Sequence, residues 1–401
     1  MRVSAVRFFD DEGMDFAVRC VLSGVRDGMA EVGEVFTVCE TIRDGDPDSW
    51  LCGFVALGRR LRAEADVAAV AGHRYSAWNA ALRAANYLFA GLWWAPATAA
   101  AHTSTALWSE HRDAWDLAVT HWPTPAEHVT VPHGPDQLPG YWFRSRAPSG
   151  TSADEDTQRS TVVLVQGLNT PMSDACMTGM NGALARGHHV LLFDGPGQGA
   201  ALHRQGLTLR ADWSPVIRDV LDWLAGRPEV DSDRIVVSGV NHGAYLALSG
   251  VTDPGDGDAA ARVAVLMVDP GVVDLGVEAR AAVAQAGSDP AALALLRGTT
   301  LDPTGAASMA DALLMLDNCS IDAGRLATLR CPTLVVRSED AASFPGQGAT
   351  LLRSSPPGVA QELFLSHDEG AGADCGIDAP QIHDARVFDW LDDHLPPGRA
   401  R

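Results

Sequence analysis

The stretch Ile235-Val236-Val237-Ser238-Gly239-Val240-Asn241-His242-Gly243-Ala244-Tyr245-Leu246-Ala247-Leu248 decides how the chain is read. A β-branched run ends in G-x-N-x-G and passes at once into a helix-forming segment. The glycines on either side of Asn241 permit a tight, strained turn that lifts the central side chain above the end of a strand. Working outward, apolar runs recur at Thr161–Val165, Val190–Phe193, Val263–Val268 and Thr333–Val336, separated by helix-length segments. Strands that are continuously apolar are buried on both faces, so the pattern predicts an α/β fold with a mostly parallel sheet wrapped by helices.

Before the sheet the period changes. From about residue 15 to 125, Leu, Ala, Trp and Arg recur at three- and four-residue spacing, which predicts a helical N-terminal domain over 1–126 and a core over 127–401. Val129 to Phe143 reads as a hairpin around His133-Gly134-Pro135-Asp136, and 147–160 as a polar surface loop. The Ala- and Leu-rich segment at about 275–329 is too long for an ordinary crossover and predicts an inserted helical lid.

Composition removes several function classes. The 401 residues carry 30 Lys+Arg against 51 Asp+Glu, a formal charge of −21, and none of the basic residues is Lys. A Schiff-base lysine, a PLP anchor and a phosphate-loop lysine are thereby excluded. So acidic a chain, without an Arg stripe, is not built for nucleic acid, and nothing in it points to a membrane surface. Seven scattered cysteines with no C-x-x-C spacing argue against a disulfide framework and a zinc site and point to the cytoplasm. Charge arrives too early at the N-terminus for a signal peptide, and no apolar run spans a bilayer.

Two further motifs join the elbow. Val165-Gln166-Gly167-Leu168-Asn169 follows the first core strand, and Phe193-Asp194-Gly195-Pro196-Gly197-Gln198-Gly199 follows the next. With Arg227-Pro228-Glu229-Val230-Asp231, and with His73-Arg74-Tyr75-Ser76, Asn86-Tyr87 and Leu138-Pro139-Gly140-Tyr141 earlier, most of the chain resembles one α/β-hydrolase family. That family includes 2,6-dihydroxypseudooxynicotine hydrolase and fermentation-respiration-switch-like esterases. The resemblance implies the α/β-hydrolase fold, a homodimer, and a site built from a Ser, an acid after a late strand, and a C-terminal His. Here Asn241 takes the place of Ser, and the acid position falls on Ala341 with Asp340 one residue away. Asp374, in Gly370-Ala371-Gly372-Ala373-Asp374-Cys375, stands where the family has His.

The candidate residues follow from these motifs. Asn241, His242, Asp374, Asp269 and Asp340 are the catalytic candidates, and Gly167, Leu168, Asn169 and Tyr245 the substrate-binding ones. The backbone N–H groups of Leu168 and His242 are placed to hold an oxyanion, with the His242 imidazole or Asp374 moving the proton. Asp269 ends a core strand at its carboxyl edge. His367 lies too early for the family's His and reads as surface. His188 and His189 read as a solvated loop at the wrong edge of the sheet. Trp78, Trp93, Trp94 and Trp108 read as core of the first domain, with the alternative that one or two line a pocket against an aromatic or polycyclic ligand. The sequence implies no cofactor, no metal and a small-molecule partner. The expected function is a lyase, cyclase or isomerase acting on an aromatic or polyketide-like carbonyl compound of natural-product metabolism. The alternatives are a C–C or ester hydrolase using carboxylate-activated water, and an inactive ligand-binding relative.

Overall fold

The computed structural model describes residues 6–145, 158–168, 170–252 and 261–395. Eight strands form one sheet in the order β1-β2-β4-β3-β5-β6-β7-β8. They are β1 Ala126–His133, β2 Asp136–Phe143, β3 Arg159–Val165, β4 His189–Phe193, β5 Val230–Val240, β6 Val265–Asp269, β7 Thr333–Ser338 and β8 Ala360–Leu365. From β4 to β8 neighbouring strands pair in parallel, whereas β2 runs antiparallel to β4 with Gly140 opposite Phe193. The β1–β2 hairpin turns at Gly134, whose φ is 55°.

The Val and Leu runs of β3, β4 and β6 are buried throughout, as strands covered on both faces must be. Helix α9, His242–Val251, packs against β5 and β6 and buries nearly its whole length. Strand β8 was not foreseen. Its Ala-Gln-Glu-Leu-Phe-Leu sequence lies at the sheet edge with much of its length exposed, so no continuous apolar run announces it. Of the expected loop at 147–160, residues 147–157 lie outside the described set, and Arg159 and Ser160 already belong to β3.

Two compact units divide the chain. One comprises residues up to Glu127 together with Val283–Gly298; the other comprises His128–Ala282 and the residues from Thr299 onward. The insertion expected as one lid is therefore split, because the helix Pro290–Leu296 packs with the turn Ala95–Ala97 of the first unit. The first unit is helical: α1 Glu12–Ser23, α2 Val32–Cys39, α3 Pro47–Val70, α4 Arg74–Trp94 and α5 Ser104–Thr120. Helix α3 starts where Asp46 caps the Asp48 N–H at 3.1 Å and Pro47 presets the first turn. Trp50 is fully buried and donates its indole N–H to the Ala90 carbonyl at 2.8 Å, so burial worth about 2–3 kcal/mol leaves no polar atom unpaired. No described helix is long and apolar enough to cross a membrane.

Candidate active site

The second unit presents the elbow at the carboxyl edge of its sheet. Asn241 joins β5 to α9 with φ 57° and ψ −128°. A side chain at Gly239 would collide with the Gly243 and Ala244 backbone, and one at Gly243 with the Val165 and Gln166 carbonyls. Only glycine allows this approach, which explains the G-x-N-x-G pattern. The Asn241 N–H donates to the Asp269 carbonyl at 2.7 Å, tying the elbow to the end of β6.

The Asn241 side chain folds back. Its Oδ1 accepts the His242 N–H at 2.8 Å and caps α9. This corrects the expectation that the His242 N–H stands free for an oxyanion: in this structure its acceptor is the carboxamide next to it. The His242 imidazole is half-buried and meets the Phe344 ring edge-on at 5.4 Å. Burial pushes its pKa down to about 4, so the ring is neutral at pH 7 and too weakly basic to carry the proton expected of it.

Asp374 occupies a turn whose next residue, Cys375, has φ 52°. Its Oδ2 accepts from the Ala342 N–H at 3.3 Å and the Ser343 hydroxyl at 3.4 Å. Its Oδ1 is buried without a hydrogen-bond partner. Burial raises the Asp374 pKa, the donors at Ala342 and Ser343 oppose that rise, and the nearby Asp269 carboxylate adds to it. The loop that carries the family's acid thus meets Asp374 through backbone and hydroxyl donors. Asp340 itself turns away from that role, because its Oδ2 lies 2.6 Å from Nδ1 of the half-exposed His367.

Four residues missing from the sequence reading, His383, Asp384, Glu278 and Phe344, also belong to this region. His383 donates through Nε2 to Asp269 Oδ2 at 2.7 Å, both groups being buried, and its Nδ1 lies 3.5 Å from Asp384 Oδ1. Burial works against charge on this ring, but the hydrogen bond to Asp269 and the nearby Asp384 carboxylate outweigh it and lift the pKa to about 9. Asp269 is therefore the counter-ion of His383, and its carbonyl also receives the Cys375 thiol at 3.5 Å. Glu278 accepts the Phe344 N–H at 3.1 Å, and burial, with Asp374 nearby, raises its pKa. Phe344, which packs on His242, has φ 53°. Among the described residues the positive-φ positions other than glycine are Asn241, Phe344 and Cys375. Each is linked to this one site, and concentrated backbone strain is a property of functional sites.

Gly167 lies against the elbow, where a side chain would come within 3.7 Å of the Asn241 Cβ, and Leu168 is buried beside it. Asn169 lies outside the described residues. Tyr245 is corrected: it is fully buried, and its hydroxyl donates to the Ala211 carbonyl at 3.0 Å, so it anchors α9 and is not available to substrate. His188 and His189 are corrected too, since both are buried. His188 Nδ1 is 2.5 Å from the Ser160 hydroxyl, and His189 Nδ1 accepts the Ser145 N–H at 3.0 Å. Trp94 and Trp108 are buried in the first unit, whereas Trp93 is 39% exposed. No group of three or more His, Cys, Asp and Glu among the described residues is arranged to hold a metal ion.

The chain has the strand order, the elbow and the loop after β3 of the α/β-hydrolase fold. No family model matches it. It is similar to the 20-hydroxy-prefusarin hydrolase FUS2 of Gibberella moniliformis, with 28% identity over 90% of this chain and 92% of that one. It is also similar to the hydrolase acrC of Aspergillus aculeatus, with 31% identity over 62% of this chain; that match spans 60% of the relative's length. Among solved structures, 2,6-dihydroxy-pseudo-oxynicotine hydrolase superposes with a TM-score of 0.73 at 18% identity, covering 93% of this chain and 95% of that one.

Proposed function

We propose that this chain catalyses elimination, cyclisation or isomerisation of a carbonyl compound by proton transfer, with no covalent acyl-enzyme. The observation that carries the reading is the pairing of a non-nucleophilic elbow with an available base. Asn241 spends its side-chain oxygen on the His242 N–H, while Asp374 keeps one buried carboxylate oxygen without a partner. A carboxyl whose pKa is raised by burial is a stronger base than one in water. In this mechanism Asp374 Oδ1 takes a proton from the carbon next to the substrate carbonyl. The enolate oxygen is held by the Leu168 N–H and by the His242 N–H once the Asn241 side chain yields it. The small-molecule substrate class and the lack of a need for any cofactor are part of this proposal.

A second reading is hydrolysis of a C–C or ester bond by water activated at Asp374. The names of the similar fungal proteins favour it, since both are called hydrolases.

The test is incubation in D2O with aryl 1,3-diketones, β-aryloxy and β-alkoxy ketones and activated esters, followed by mass spectrometry of substrate and protein. The proposal expects deuterium at the α-carbon or an eliminated product, an unmodified protein, and a loss of about 10²–10⁴-fold in Asp374→Asn. Ester turnover alone, dependent on Asp374, selects the second reading. An adduct on the chain, or full activity in Asp374→Asn, overturns both.

A further inference from the structure

The edge of the sheet opposite the elbow holds buried donors that the mechanism above does not use. Trp142 pairs with Leu191 and Thr161 with His189, and His189 and Leu191 are two apart on β4. Trp142, His189 and Thr161 therefore share one face of the adjacent strands β2, β4 and β3. The Trp142 and His189 rings meet there, with centroids 5.2 Å apart. Their residues are 0% and 4% exposed and Thr161 is 0% exposed, yet each keeps a polar atom without a hydrogen-bond partner: Trp142 Nε1, His189 Nε2 and Thr161 Oγ1.

Two of these atoms can only donate. An indole N–H has no acceptor capacity. His189 Nδ1 accepts the Ser145 N–H at 3.0 Å, which leaves the ring hydrogen on Nε2. Burial, with Arg159, Arg144 and Arg227 nearby and Glu229 opposing them, brings the His189 pKa down to about 4, so the neutral ring keeps that arrangement at pH 7. Positive charge gathers around the donors, in a chain whose formal charge is −21. The Arg227 guanidinium lies 4.8 Å from the Trp142 ring centre and 4.7 Å from that of Trp223, on the helix Ser214–Ala225. Glu229 pairs with Arg227 at 2.8 Å and with Arg144 at 3.6 Å, and its carbonyl accepts the Arg159 N–H at 2.9 Å.

A buried N–H without an acceptor costs about 1–3 kcal/mol, so two on rings in contact, with a hydroxyl on the neighbouring strand, mark a place for an acceptor. We infer that Trp142, His189 and Thr161 form a binding site for a monatomic anion, chloride being the physiological one, with Arg227 supplying countercharge. The donor set fits such an ion, because a sphere takes ring N–H and hydroxyl hydrogens from any direction. A water molecule accepts the same bonds but brings no negative charge to a positive field. The bound ion ties β2, β3 and β4 together at the edge away from the elbow, so it acts on stability and not on the chemistry.

Two measurements test this. Crystals grown in sodium bromide should show an anomalous peak in contact with Trp142 Nε1 and His189 Nε2. Denaturant titrations at fixed ionic strength, with sodium chloride replacing sodium gluconate, should show the folding constant rising as 1 + [Cl−]/Kd, to about 100-fold once chloride is at about 100 times Kd. Trp142→Phe keeps an aromatic ring and removes the N–H, and Thr161→Val keeps the shape and removes the hydroxyl. Each should raise Kd about 10- to 100-fold and flatten the chloride dependence. Water in place of the bromide peak, or no peak at all, overturns the inference. So does a wild type indifferent to chloride, or a chloride dependence that both variants retain in full. If neither variant folds, the bromide peak decides alone.

Discussion

Among the Asp–His pairs of the second unit, Asp269–His383 at 2.7 Å and Asp340–His367 at 2.6 Å are of nearly equal length. They differ in surroundings. The first has side chains 7% and 8% exposed, the second 20% and 41%. Hydrogen-bond length alone therefore says little about what a pair does. In the buried pair each partner compensates the other away from water, so the bond holds the end of β6 in place and, through the Asp269 carbonyl, the Asn241 N–H. In the exposed pair water and salt can replace either partner.

Breaking the buried pair has the largest expected effect. His383→Ala leaves a buried Asp269 carboxylate uncompensated and should lower unfolding free energy by about 3–5 kcal/mol, measured by denaturant titration at pH 7. A change under about 1 kcal/mol would erase the contrast between the two pairs. The pH dependence sharpens it further. Folding raises the His383 pKa to about 9 from its ordinary value of 6.5, so its stabilisation is complete below pH 6.5 and fades as pH rises through about 9. Unfolding measured from pH 6 to 10 should show this decline in wild type and lose it in His383→Gln.

Asn241→Ala comes next, removing the cap of α9 for about 0.5–2 kcal/mol, in part because alanine tolerates the positive φ less well than asparagine. The smallest effect belongs to His367→Ala, at about 0–1 kcal/mol in the same titration. A larger cost there would show that the exposed pair is coupled to the site after all.

How much of this was legible follows from distance along the chain. The elbow, the Gly167 loop and strands β3 to β7 are written in contiguous residues, so short motifs and apolar runs disclose them. Asp269 was legible as the end of a strand, but its partner lies 114 residues further on, and no local pattern announces His383. Glu278 lies inside an Ala-rich helix, where a single acid reads as solvated surface. The Tyr245 hydroxyl and the His242 imidazole were read as site groups from their place at the elbow, but which way a side chain turns and what desolvates it are settled by tertiary packing. The two buried histidines before and within β4 were misread for the same reason.

The back-folded carboxamide of Asn241 has a consequence for affinity. Any ligand oxygen that seeks the His242 N–H competes with an acceptor tethered to the same residue pair, one that never dissociates and is always at saturating local concentration. Displacing it forfeits a hydrogen bond worth about 0.5–1.5 kcal/mol, a discount of roughly 2- to 10-fold on binding. Asn241 thus acts as an intramolecular inhibitor of its own site, and only ligands that repay that discount elsewhere will be held.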